Sequence, residues 1–471
     1  MKLLSYWFCR GRPLCLPVIL FIFLITACSS SSNIEQPNIQ YAEKFTYADK
    51  LQNTTIDQNW WAYFESEKLN NLMLSASQQS VDLQIISERV KQAELQLSIA
   101  NASWFPTLNA SASSGERNSK NSGADNFTTS QSTSVGVSLQ YEVDLWGGVS
   151  AFRRASKARA NASLYDQQAA ALSVKAAIAS GWFDYLALQE RIKTAKGNIA
   201  IAENIQRIVD AKYRNGAANA GEVAQQKTNL LSQQASLLPL ELQVKQVASA
   251  LAILLGQSPI DFIPEQENLL SISVPDILPG TPVDLILRRP DLAASESDLI
   301  AARADIVQAR SALLPGISLS ANAGKSASEL FSLNPATTTN GWAVSLAQTL
   351  FAGGRIVNQK RVIDSRAVEM LLQYHKSILI ALQEVDDGLA SASIAKEQEL
   401  RQQEIVKQAE ISLHIAETRY RQGSNELINL LDAQRTFAQV QDALVQQRLS
   451  RLKSAITLYK TLGGGWSRQT D

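Results

Sequence analysis

Side chains able to do chemistry are sparse in this 471-residue sequence. Its two histidines, His375 and His414, are 39 residues apart, and neither has a serine, cysteine or metal-ligand constellation beside it. Surface helix positions explain them better, so no catalytic residue and no metal ligand is assigned. The three cysteines, Cys9, Cys15 and Cys28, all fall at the start of the chain. Lys2, Arg10 and Arg12 precede an apolar run from Leu16 to Ala27, which is too short to span a membrane with these flanks. Such a run reads as a cleaved leader. Its removal leaves one thiol, Cys28, and so no disulfide and no cysteine-based metal site in an exported chain.

The run ends Leu24-Ile25-Thr26-Ala27-Cys28, which resembles the lipobox of bacterial lipoproteins. That resemblance implies a signal peptide over 1–27, with a covalent diacylglycerol and an N-acyl chain on Cys28. No other cofactor is expected. The alternative is an ordinary cleaved signal that happens to contain cysteine. Ser29, where aspartate would hold a lipoprotein at the inner membrane, favours the outer one. Residues 28–40 read as a flexible tether. The mature chain keeps 41 basic against 44 acidic residues, a net charge of −3, which gives no reason to expect nucleic acid.

The elements that carry these groups occur twice. Pro106 is echoed by Pro315, Gly147-Gly148 by Gly353-Gly354, and Tyr213-Arg214-Asn215-Gly216 by Tyr420-Arg421-Gln422-Gly423, at shifts of 206 to 209 residues. Landmarks in one order with so little drift mark an internal two-fold duplication. Residues 149–214 contain only Gly181 and Gly197 and no proline, and 355–422 contain only Gly388. Uninterrupted helices of that length reach about 100 Å, a coiled-coil dimension. The return strokes agree. Val223, Leu230, Leu237, Val244 and Leu251 recur at seven-residue intervals, as do Leu430, Phe437 and Leu444. Segments near 69–103 and 222–255 are half as long and would stack end to end against 149–214. Segments 283–313 and 424–462 would do the same against 355–422.

Between the helices the period changes to two. From Val135 to Leu145 every odd residue is apolar, and Trp342, Val344 and Leu346 alternate likewise. Weaker partners start at Leu108 and Ile317, and the polar stretches 115–131 and 325–340 read as loops. The result is two hairpins, 105–146 and 315–352. A soluble sheet edge would show the same half-polar alternation, but the leader argues for membrane strands. Four strands cannot close a barrel, and lipid does not tolerate open edges, so the barrel must be completed by other copies. Pro106 and Pro315 stand where helix becomes strand, and the paired glycines Gly147, Gly148, Gly353 and Gly354 where strand returns to helix.

With Trp60-Trp61, Leu287-Arg288-Arg289-Pro290-Asp291-Leu292, the glycine pairs, Arg419-Tyr420-Arg421-Gln422-Gly423 and Leu431-Asp432-Ala433-Gln434-Arg435, the chain resembles the TolC family of outer-membrane efflux channels, in its OprM-like lipoprotein branch. The resemblance covers nearly the whole mature sequence. It implies a mixed α/β membrane protein, mostly α: a homotrimer with a twelve-stranded β-barrel continued by a long α-helical coiled-coil barrel and ringed by an equatorial mixed domain. Residues 41–68, 256–282 and the tail 463–471 would form that belt, and 69–255 and 283–462 the two repeats. The function implied is an exit channel, anchored in outer-membrane lipid of a Gram-negative cell. It would pass small molecules from a periplasmic adaptor (membrane fusion protein) and an inner-membrane resistance-nodulation-division pump. Its gate would lie at the helical tips, 213–222 and 420–428. Matching the family's motifs makes Arg419 and Tyr420 the latch, Ile428 the apolar constriction and Asp432 an acidic ring, the alternative for Asp432 being a solvated coiled-coil flank. Arg214, Asn215, Gly216, Arg421, Gln422 and Gly423 would meet the adaptor. Asn425, where the TolC type has arginine, points to the OprM style of gate. Two rivals remain: a duct for protein secretion by an ABC transporter, and a periplasmic coiled-coil adaptor, which the duplication disfavours.

Overall fold

The computed structural model describes residues 45, 57–123, 125–275 and 288–468, all within the unit Gln40–Asp471. The expected lipidation site Cys28, the expected tether 28–40, most of 41–56, residues 276–287 and the end of the tail lie outside them. After a 3-10 turn at Trp60–Phe64 come α1 (Glu67–Gln79), α2 (Val81–Ala102), β1 (Thr107–Ser119), β2 (Thr128–Val143), α3 (Gly148–Arg214) and α4 (Ala220–Leu254). The second repeat supplies α5 (Pro290–Ser311), β3 (Gly316–Ala327), β4 (Thr337–Ala347), α6 (Arg355–Arg421) and α7 (Leu427–Thr461). Both α3 and α6 have 67 residues, about 100 Å at 1.5 Å per residue. Each begins after a left-handed glycine, Gly147 at φ 75° and Gly354 at φ 81°. Pro106 and Pro315 stand one residue before β1 and β3.

The helix expected over 69–103 is in fact two. Ser80 leaves helical geometry (φ −58°, ψ 119°), and the cause is remote. Gly256, at φ +72° just beyond α4, sits so close that a Cβ there would lie 2.1 Å from the Gln79 carbonyl oxygen. The second repeat repeats the device. Gly463, at φ +88° beyond α7, backs onto Arg288, where a Cβ would lie 1.9 Å from the carbonyl oxygen. Only glycine permits both the backbone angle and the approach.

The strands form one antiparallel sheet in the order β1-β2-β3-β4, leaving β1 and β4 as bare edges. Register puts Leu139 beside Leu108 and Ala321, Tyr141 beside Leu319, and Val143 beside Ile317, with Trp342, Val344 and Leu346 completing these rows on β4. That apolar face suits lipid. On the other face the rows hold Thr107, Asn109 and Ser111, Gly136, Ser138, Gln140 and Glu142, and Ser318, Ser320 and Asn322. The polar stretches read as loops are about half strand: β1 runs on to Ser119 and β2 starts at Thr128, while β3 reaches Ala327 and β4 starts at Thr337. Serine and threonine on both faces hide the two-residue period there, while the ladder continues.

Packing also departs from the expected pairing of 283–313 with 355–422 alone. Helix α5 lies in the groove between α3 and α6, and α7 packs on α3 as well as α6. A half-length helix in such a groove buries two flanks instead of one. The pairs Arg191–Asp442 (2.6 Å) and Lys453–Asp184 (2.7 Å) tie α3 to α7. Midway along the long helices an aromatic core joins the turn Trp60–Phe64 to α3 and α7. Trp60 stacks on Tyr459 with centroids 5.3 Å apart, and Phe64 meets Phe183 at 5.1 Å.

Candidate functional site

At the helical tips the two repeats are closed by the same backbone device. Gly216 (φ 72°) and Gly423 (φ 80°) adopt the left-handed conformation one residue past each C-cap. The next amides reach back five residues, Ala217 N to Lys212 O at 2.8 Å and Ser424 N to Arg419 O at 2.9 Å, so orphan carbonyls are satisfied. Asn219 then caps α4, accepting from the Glu222 amide at 3.0 Å and donating to its carboxylate at 3.1 Å. Arg214, Asn215, Gly216, Arg421, Gln422 and Gly423 are all exposed.

Tyr420 is not on that surface. It is 3% exposed and packs with Ile205, Val209, Leu413, Leu427, Leu430 and Phe437 in an apolar cluster drawn from both hairpins. Its hydroxyl donates to Glu222 Oε2 at 3.3 Å, its carbonyl accepts from Lys212 Nζ, and that ammonium lies 4.1 Å from its ring centroid. Burial, then the neighbouring Glu222 carboxylate, pushes its phenol up to about 12. One tyrosine thus joins the two hairpins of a single chain. Sequence reasoning named Tyr420 but missed Lys212 and Glu222. The Asn219-x-x-Glu222 capping box was the available signal for the latter.

The other gate candidates sit elsewhere. Arg419 is exposed, and its carbonyl receives both the amide and hydroxyl of Ser424. Ile428 is 46% exposed, and Asp432 is exposed one turn further along α7, so both share one helix face. Asp432 accepts from Arg435 at 2.7 Å, which offsets part of its charge. Behind this face a polar seam replaces the apolar one: Gln226 Nε2 donates to Ala202 O at 2.7 Å, and Asn229 Nδ2 to Gln434 Oε1 at 3.0 Å. Among the described residues no group of His, Cys, Asp and Glu gathers as metal ligands would. His375 and His414 are both on α6, partly buried and exposed respectively.

Two long helical hairpins, a four-stranded sheet with bare edges and a tip closed by its own cluster define a channel-forming subunit. Residues 72–257 and 281–464 match the family described as outer membrane efflux protein, and the chain belongs to that family. The chain is 33% identical over 462 residues to the pyoverdine export outer membrane protein OpmQ of Pseudomonas aeruginosa, covering 96% of this chain and 97% of that one. It is 34% identical over 421 residues to OpmQ of Pseudomonas putida, covering 87% and 88%. Among solved structures it resembles the Campylobacter jejuni CmeC outer membrane channel, with TM-score 0.87, 25% identity and coverage of 94% and 96%. The family is one of TolC-type export channels of the Gram-negative outer membrane rather than of enzymes, and its members form trimers within tripartite efflux systems.

Proposed function

We propose that three copies of this chain form the exit duct for small molecules handed over by a periplasmic adaptor and a resistance-nodulation-division pump. The observation that carries the reading is the sheet. Among the described residues the outer edges of β1 and β4 have no partner strand, and the rows of the sheet present an apolar face that must meet lipid. In lipid such edges are satisfied by pairing β4 of one copy with β1 of the next. Small-molecule cargo is supported by the relatives. Two are named for pyoverdine export, and others at 28% identity for antibiotic and toluene efflux. The exposed residues 214–216 and 421–423 are the adaptor contacts in this reading, and Cys28 carries the lipid.

The test is export from a strain lacking its own outer-membrane channel but holding adaptor and pump. Expression of this chain restores resistance or cargo release, and cross-linking yields trimers; trimers absent from the membrane would sink the proposal. Metabolic lipid labelling lost in Cys28→Ser checks the anchor. The gate is tested by bilayer reversal potentials under a salt gradient. Asp432→Asn lowers cation preference if three copies of Ile428 and Asp432 ring the pore, and unchanged selectivity returns them to coiled-coil packing.

A further inference from the structure

One cation at the waist has no acidic partner among the described residues. Lys175, on α3, is half-buried, and its ammonium lies 4.8 Å from the centroid of the Trp61 ring. Burial alone pushes its pKa down, and no carboxylate acts against it. A half-buried ammonium resting on an aromatic face gives up part of its hydration, and cation–π attraction returns less than the hydration it replaces. Trp60, adjacent to Trp61 in sequence, is fully buried, and its indole N–H has no hydrogen-bond partner among the described residues.

Both side chains line one small cavity of about 60 Å³, bordered also by Gln58, Gln168 and Trp466. The rest of its wall is aliphatic or glycine, and no carboxylate borders it. Every polar side chain on that wall can donate: one ammonium, two indole N–H groups and two amides. The space suits one or two water-sized species. The wall carries a net positive charge, and one of its members has an unpartnered buried donor.

We propose that this cavity binds a small inorganic anion of chloride size, held by the Lys175 ammonium and the Trp60 indole N–H. The site joins three parts of the belt: the turn at Trp60–Phe64, helix α3, and the glycine run after α7, whose Gly463 and Gly464 border the cavity. Its place in the duplication is telling. In the second repeat the position matching Lys175 is Leu382, so the site occurs once per chain. The bound anion neutralises a charge that the fold otherwise leaves uncompensated, and so fastens the belt to the long helices.

Crystals of the purified full-length protein soaked in sodium bromide test the site, since bromide reports its position by anomalous scattering. A bromide peak within hydrogen-bonding reach of Lys175 Nζ is expected. Melting in sodium chloride against sodium gluconate, an anion too large for the cavity, should show a lower Tm in gluconate for the wild type. The difference should vanish in Lys175→Met. If that variant fails to fold, Trp60→Phe keeps the ring and removes the N–H, and should weaken bromide binding roughly tenfold. An empty cavity, a neighbouring subunit's carboxylate seated on Lys175, or the same chloride–gluconate difference in Lys175→Met as in wild type overturns the proposal.

Discussion

The two return helices, α4 and α7, have the same length and the same heptad origin, yet they live in different surroundings. Along its 35 residues α7 buries eleven side chains, among them Leu430, Phe437, Leu452 and Leu458. Over its own 35, α4 buries four: Gln226, Ala248, Leu251 and Ala252. Its remaining apolar face shows Leu231, Leu238, Leu242 and Ile253 to solvent, although it is apolar enough to pass by composition for a membrane span. The reason is position. Helix α7 lies between α6 and α3, whereas α4 has α3 as its main support. Duplication copied the pattern, but only one copy found its partner inside the chain. In the trimeric reading the other finds it on the next subunit.

That contrast can be tested where the repeats should agree and where they should differ. Agreement is strictest at Gly256 and Gly463. Either Gly→Val substitution drives a side chain into a carbonyl from a left-handed backbone, at several kcal/mol. Both should abolish folded protein in heat-modifiability gels, and tolerance of one alone would break the equivalence. Next, Leu238→Glu on the open flank of α4 places a charge in each of three subunit seams. It should leave the chain folded by circular dichroism but abolish trimers on size-exclusion chromatography. A normal trimer would mean that the face has some other role.

A smaller difference is expected at the paired helix starts. Arg289 is 9% exposed and holds Asp291 at 2.7 Å, Glu384 at 2.7 Å and the Thr461 carbonyl at 3.3 Å. Both carboxylates are partly solvated, so Arg289→Ala should cost about 2–3 kcal/mol. Ser80, its counterpart, has a buried hydroxyl with no partner, so Ser80→Ala should shift the thermal midpoint little or upward. Equal losses would refute that distinction. Smallest is the tip. Tyr420→Phe should raise bilayer conductance by loosening a bond of about 0.5–1.5 kcal/mol per chain, while Tyr213→Phe, on a 49% exposed residue, should not. Tyr420 is held protonated up to about 12, against an ordinary 10.0. Its contribution is therefore complete below pH 10 and fades as pH rises toward 12, which tyrosinate absorbance followed alongside conductance would show.

Much of this scaffold was legible because its signals are local. Scarcity of glycine and absence of proline set the length of α3 and α6, and alternation revealed the lipid-facing part of β2. What stayed hidden depends on distant partners. Ser80 sits in an unbroken helix-forming stretch, and nothing nearby announces that Gly256 will interrupt it. The outer ends of the strands carry no period, since polar residues occupy both faces there. At the tip, Tyr420 could be found from its motif. Its role as a tie between hairpins could not, because Lys212 and Glu222 come from the other repeat.

The inner wall of the sheet has a consequence for traffic. Level with the lipid-facing rows, that wall is serine, threonine, asparagine, glutamine, glycine and alanine, with Glu142 the one ionised side chain. Away from Glu142, an uncharged solute passing such a surface meets hydrogen-bonding groups no stronger than water's. Dwell time in the barrel is then short for solutes of almost any shape, and the exit does not saturate before the machinery that feeds it. On the proposed function, choice of cargo then falls to the proteins upstream of the duct.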